Sequence, residues 1–397
     1  MKLLEDLRVV AVEQYGAGPF GTLQLTQLGA EVIKIENLRE GGDVSRHVRR
    51  RDETLPEGDS LFYQTFNLGK RSVGLDLKTP EGKEIFHRLT ATADAVFNNL
   101  RGDTQDRLGL TYDALKSVNP RVVCIHVTAY GRRGSRAAWP GYDYLMQSEA
   151  GFLSVTGEPD GPPTRMGLSI VDQAAGVQAA LALVSGVHAA RRTGIGCDLD
   201  VSLFSTAISH LTYLATWHLN TGHVQGREPR SSHPTLTPSQ LYRTQDGWLF
   251  IMANKEKFWP LLVKALGDPP ELQRPDFTTF EGRLANRHEL TRLLDGFFMQ
   301  KPTSYWIECF SGSLPIAPVF NIAQALSSPF AHEMGRIAPV QHGHVPLSVV
   351  APATDINGSP IRQTRAPDYG ERTDALLAEL GYRENDRARL RAQGIIK

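Results

Sequence analysis

Cysteine is scarce: Cys124, Cys197 and Cys309 are the only three in 397 residues, and no two are close enough to form a CxxC pair. Neither a disulfide framework nor a thiolate zinc site is indicated. The pattern fits a reducing compartment, so the cytoplasm is the expected location. Net charge is also missing, because 43 Lys plus Arg offset 43 Asp plus Glu. With no overall basic field, neither nucleic acid nor a membrane surface is an expected partner, and any anion site must be local. No uninterrupted apolar run reaches about 18 residues, and Glu5 and Asp6 stand where a signal peptide would need apolar residues. His342-Gly343-His344 pairs two imidazoles without an acidic or cysteine neighbour in sequence, so no metal is expected.

What is present is globular usage, with 41% hydrophobic and 22% charged residues, over a length that suits about two to three domains. β-branched and apolar runs at 8–14, 31–36, 72–77, 95–100 and 121–131 alternate with helix-like segments, and Thr79-Pro80 reads as the cap and first position of one helix. This alternation predicts an α/β fold with a parallel sheet. The Ala-, Val- and Leu-rich segment 170–192 predicts a central helix closed by the glycines of TGIG, with Asp172 in its first turn. The polar run 221–238 has no apolar period and reads as a linker. A smaller α+β domain is expected over 239–324, opening with two strands joined through Asp246-Gly247.

Gly16, Gly18 and Gly21 form a G-x-G-x-x-G between a predicted strand and helix, and Glu36 ends the next strand about 20 residues on. This is the pattern of a dinucleotide site, in which Glu36 would meet a ribose hydroxyl. Its plainer reading is a tight, well-packed strand-to-helix turn.

The rest of the chain favours a different ligand. AGPFGTLQLTQLGAEVIKIE, GGDVSR (41–46), FNLGKRSVGLDLKTPEGKE (66–84), DRLGLTYDALKSVNPRVV (106–123), PGYDYLMQSEAGFLSVTGEPDGPP (140–163), IVDQAAG (170–176) and TGIGCDLDVSL (193–203) follow in that order. This series resembles the class III CoA-transferases, the formyl-CoA and carnitine CoA-transferase family, and the resemblance continues into LLAELGY and RLRAQGII at the C-terminus. It implies a Rossmann-like large domain of residues 1–220 completed by 325–397, and two chains interlocked as a homodimer.

The resemblance further implies that Asp172 is a nucleophile, passing through an aspartyl anhydride and an aspartyl-CoA thioester between an acyl-CoA donor and a carboxylic acid acceptor. No tightly bound cofactor is implied; the coenzyme A thioester is a substrate. By position alone Asp172 is a helix-start carboxylate, and the helix dipole is expected to keep it ionised. Asp143 is expected to orient the site, and Gln14, at the carboxyl end of the first strand, to offer an amide to a developing oxyanion. Matching positions assign CoA contacts to Gly16, Ala17, Arg46, Leu75, Asp76, Leu77, Lys78, Asn99, Leu100, Arg101, Arg107, Trp139, Pro140, Gly141 and Tyr142. An α-methylacyl-CoA racemase shares the fold, but needs a His where this chain has Tyr142, and a phenol lacks the near-neutral pKa that an imidazole brings to proton transfer. A non-catalytic CoA or dinucleotide binding module is the alternative of another class.

Overall fold

Arg8–Val12 (β1) is β-branched and apolar, and four of its five residues are buried. In chain order it is followed by α1 (Ala17–Gln27), β2 (Glu31–Glu36), α2 (Leu61–Asn67), β3 (Arg71–Gly74), α3 (Pro80–Ala91), β4 (Ala95–Asn98), the one-turn α4 (Gln105–Leu108) and α5 (Tyr112–Leu115), and β5 (Val123–Thr128). Then come α6 (Asp143–Glu149), α7 (Phe152–Val155), α8 (Ile170–Thr193), β6 (Cys197–Ser202) and α9 (Leu203–His210). The six strands form one parallel sheet in the order β3-β2-β1-β4-β5-β6. The direction of winding reverses between β1 and β4, and open α/β sheets bind ligands at such a point, beyond the carboxyl ends of the strands.

Parallel sheets must be covered on both faces. On one face, Val10, Ile33, Val73 and Val96 pack with Ile85, Phe86 and Leu89 of α3 and with Leu376, Leu377, Leu390 and Ile396 from the chain's end. The C-terminus is tied to the sheet edge, where Leu75 bridges Ile396 and the Gly74 N–H donates to Thr373 Oγ1. On the other, α8 packs against α1, β5 and β6. Helix α3 starts as its sequence predicts, with Thr79 Oγ1 accepting the Gly82 N–H and Pro80 in first position. The sixth strand, Cys197–Ser202, carries no unbroken apolar run and escapes a reading based on hydrophobicity.

The computed structural model describes all residues 1–397. They form two compact units, one of residues 1–150, 167–212 and 329–397, the other of 151–166 and 213–328. The second unit holds a three-stranded antiparallel sheet of Ser239–Arg243, Trp248–Met252 and Ile316–Pro318, with a core that includes Tyr242, Leu249, Leu290, Phe298 and Trp306. Two observed boundaries differ from those expected. Residues 151–166 join the second unit, where Arg227 donates to the Gly161 and Pro162 carbonyls and the Arg230 N–H to Glu158. The run 221–238 is pinned rather than free: Arg287 binds Glu228, Thr237 and His233, and Arg230 pairs with Asp295.

Candidate active site

Each glycine of G-x-G-x-x-G admits a protein group. A Cβ at Gly16 would lie 2.5 Å from Asp172 Oδ2, one at Gly18 2.7 Å from Asn99 Cγ, and one at Gly21 2.7 Å from the Gly176 carbonyl oxygen, where α1 meets α8. Glu36, the acid a ribose would need, is buried and bound by Arg46 Nε and Nη2 at 2.8 and 2.7 Å. The dinucleotide pattern is therefore fully used by packing. The plainer reading of the turn holds, with the addition that it lets one carboxylate approach the backbone.

That carboxylate is Asp172, at the third position of α8. Asp143 reaches the same helix end: its Oδ2 accepts the N–H groups of Val171 and Asp172 at 2.7 and 2.9 Å, and its Oδ1 accepts from Gln147 Nε2. The N-terminal donors that were expected to hold Asp172 ionised are thus taken by Asp143. Burial of Asp172, reinforced by the charge on Asp143, pushes its pKa up to about 7. No hydrogen bond to the Asp172 carboxylate opposes them. The expectation that the helix end keeps Asp172 ionised is corrected accordingly: near neutrality Asp172 is divided between its charged and neutral forms.

Beside this turn, a cavity of about 420 Å³ opens at the ends of β1, β2 and β3. Of the expected residues, Gln14, Leu75, Asp76, Leu77, Lys78, Leu100 and Arg107 line it. The side-chain amide of Gln14 makes no hydrogen bond within the protein, which leaves it available to a ligand. Leu75 and Leu77 are buried, so the LDLK segment contributes backbone and floor there, whereas Lys78 is exposed. The Arg107 side chain is 65% exposed, held only by Thr104 at 3.3 Å and by Asp103 at 3.8 Å. Lys83, on the first turns of α3, lines the same cavity and was missed by the sequence reading. Its signal was present in the helix register, four residues after the Thr79 cap. Lys78 and Lys83 have no ion-pair partner, while the acids on the lining are largely neutralised: Asp76 by Arg39, Glu36 by Arg46, Asp43 by Lys34. Three cations around a part-apolar cavity suit a phosphorylated nucleotide.

Other expected contacts are placed differently. Arg46 is 1% exposed; its guanidinium serves Glu36, the Tyr63 hydroxyl and the Pro367 carbonyl, and lies 3.6 Å from the centroid of the Tyr63 ring. It cannot reach a phosphate without breaking a buried ion pair, and its role is structural. Arg101 is exposed but turned into Asp103. Asn99 gives its amide to the backbone of Gln14. Ala17 is buried behind Gly16. Trp139, Pro140, Gly141 and Tyr142 form a segment leading into Asp143; Trp139 and Tyr142 are exposed, and the Tyr142 ring meets Tyr15 edge-on at 6.1 Å. This segment lies outside the cavity lining. His342 meets Asp59 at 2.8 Å, with Asp368 also near enough for the three to hold an ion. Gln64 binds the same Asp59 oxygen and Asp368 is exposed beside Arg365, so this set reads as a polar clasp.

The geometry agrees with the relationships of the chain. The sequence model of CoA-transferase family III matches residues 4–373. An acyl-CoA transferase of Fusarium pseudograminearum is 32% identical, with 99% of this chain and 88% of that protein aligned. The succinyl-CoA:mesaconate CoA-transferase of Haloarcula hispanica is 31% identical over 96% of this chain and 97% of its own. Among solved structures, a CAIB/BAIF family protein from Brucella suis superposes with a TM-score of 0.82 at 29% identity, covering 94% of this chain and 98% of that one. The chain belongs to CoA-transferase family III and is an enzyme that transfers coenzyme A.

Proposed function

We propose that the enzyme moves coenzyme A from an acyl-CoA donor to a free carboxylic acid with Asp172 as its nucleophile. The Asp172 carboxylate attacks the thioester carbonyl, and the C–S bond breaks to give an acyl-aspartyl anhydride and CoA thiolate. The thiolate attacks the Asp172 carbonyl of the anhydride, releasing the donor acid and leaving an aspartyl-CoA thioester. The acceptor carboxylate then attacks that thioester to form a second anhydride, and the thiolate returns to the acceptor's carbonyl, which frees Asp172. Charge and atoms balance without a general base.

The observation that carries this reading is the state of Asp172: a carboxylate with no hydrogen-bond donor, pressed on Gly16 and facing the charge of Asp143. Its raised pKa makes the ionised form a stronger nucleophile than a solvated aspartate. Acylation also removes the charge that burial and Asp143 disfavour, so the covalent intermediates are helped relative to the free carboxylate. Lys78, Lys83 and Arg107 would hold the phosphates of the nucleotide, and the Gln14 amide would donate to an oxyanion. The named activities of the relatives make succinyl-CoA the first donor to test.

The assembly belongs to the same proposal. Val177 and Leu181 are 49% and 62% exposed on α8, an i, i+4 apolar stripe facing away from the sheet; a homodimer would cover it. A cytoplasmic location fits the free thiols.

The test is covalent. After incubation with succinyl-CoA, hydroxylamine should convert Asp172, and no other carboxylate, to a hydroxamate detectable by peptide mass spectrometry. Labelling at another residue, or near wild-type turnover by Asp172→Ala, would refute the assignment.

A further inference from the structure

We infer that Asn99 and Asp43 are positioning residues for Asp172, acting through the turn Gln14-Tyr15-Gly16 rather than through a ligand. The inference rests on Asp172 being the reacting group. Asn99, just beyond β4, treats the backbone of Gln14 as a neighbouring strand would: its Oδ1 accepts the Gln14 N–H at 2.9 Å and its Nδ2 donates to the Gln14 carbonyl at 2.7 Å. The amide is wedged against Gly18, where no Cβ could fit. These two contacts span the winding reversal between β1 and β4, so the residue that closes the switch point also fixes the turn.

Asp43 holds the next residue. Tyr15 has φ 69°, a left-handed conformation that a bulky side chain adopts only when its surroundings impose it. Its N–H donates to Asp43 Oδ1 at 3.1 Å. Asp43 is itself immobile: Ser45 donates to Oδ1 from both its N–H and its hydroxyl, and Lys34 Nζ lies 2.8 Å from Oδ2. Lys34 is fully buried and also donates to the Glu13 carbonyl, while Glu13 binds Lys70. A buried, charge-balanced network thus reaches from the sheet to one backbone N–H.

The consequence falls on Gly16. With Gln14 and Tyr15 held, Gly16 is fixed beside Asp172 Oδ2, so close that a Cβ there would lie 2.5 Å from that oxygen, and the turn covers that side of the carboxylate. If the clamp is released, the turn can retreat and the carboxylate gains water. Its charged form is then stabilised and its nucleophilicity falls. A ligand contact at Asn99, which the family resemblance implies, would behave differently: its loss would weaken CoA binding and leave the titration of Asp172 alone.

Two measurements on Asn99→Ala separate these roles. In a single-turnover reaction at saturating succinyl-CoA, Asp172 acylation should fall about tenfold or more, with its pH midpoint displaced downward, while CoA affinity measured by titration calorimetry changes less than about threefold. Independently of activity, the pH-dependent stabilisation produced by Asp172→Asn should shrink by about half or more in the Asn99→Ala background, as a thermodynamic cycle in denaturant reports. If Asn99→Ala does not fold, Asn99→Ser, too short to span both backbone groups, serves in both arms. An unchanged cycle overturns the inference, as does a CoA affinity loss of about tenfold with unaltered acylation. Absence of any Asp172 adduct in the wild-type enzyme with succinyl-CoA counts against the proposed reaction or donor, and the stability cycle still decides the role of Asn99.

Discussion

Replacing Asp172 by Asn is expected to stabilise the protein, and to do so more strongly as the pH rises. The sign follows from linkage. A carboxyl group whose pKa is raised by folding prefers its proton in the native state, so it opposes folding once the unfolded chain has ionised. Below the unfolded value, near ~3.9, both states are protonated and nothing is lost. From there up to the folded value of about 7, stability falls by ~1.4 kcal/mol per pH unit, so the full interval represents ~4 kcal/mol. Residual access of water to the carboxylate reduces this, and ~2–4 kcal/mol is the expected gain for Asp172→Asn above pH ~8, against about one-third of that at pH ~5. The neutral amide does not titrate, so the difference between wild type and variant isolates this one group. Urea unfolding of both proteins at several pH values and one fixed protein concentration measures it. Equal stabilisation across the range, or a variant less stable than wild type at high pH, would refute the reasoning. The activity should run the opposite way: acylation requires the ionised form and should decline as pH falls through about 7.

Four further outcomes are expected. Arg107→Ala and Lys83→Ala should each weaken CoA-ester binding by ~1–3 kcal/mol if they meet phosphates; calorimetry with CoA and dephospho-CoA identifies which phosphate, and unchanged affinity for both variants would remove the cavity from the nucleotide site. Gly16→Ala should abolish Asp172 acylation with little change in Tm, because the new Cβ displaces a side-chain oxygen, whereas Gly21→Ala should destabilise by ~1–3 kcal/mol or more, because it meets the Gly176 backbone. Arg46→Met should cost ~3–5 kcal/mol of stability by leaving Glu36 buried without its cation; a stable variant with selectively weakened CoA binding would restore Arg46 to the nucleotide site. In heavy water with a 2-methylacyl-CoA, no enzyme-dependent deuterium should enter the α-carbon, since transfer never breaks that C–H bond; rapid incorporation without an acceptor, read by mass spectrometry, would mark a racemase.

Much of the site was legible because it depends on local chemistry. The alternation of apolar runs and capped helices determines the parallel sheet, since period and punctuation are properties of adjacent residues. The ordered blocks from the glycine turn to IVDQAAG determine the family, and with it Asp172 as the residue to examine. Tertiary structure decided what each of these residues does. The family resemblance implies a CoA contact at Arg46, but Glu36 and Tyr63 arrive from elsewhere in the chain to enclose it. The family resemblance implies a CoA contact at Asn99, but the pairing of β1 with β4 puts its amide on the Gln14 backbone. Asp172 reads as an ordinary helix-start acid, yet Asp143, 29 residues earlier, takes the helix donors and adds its charge. Local sequence determines which elements form. Competition for a hydrogen-bond donor, the pairing of a charge and access to water are settled between segments distant in sequence, and these decide which side chains remain free to react.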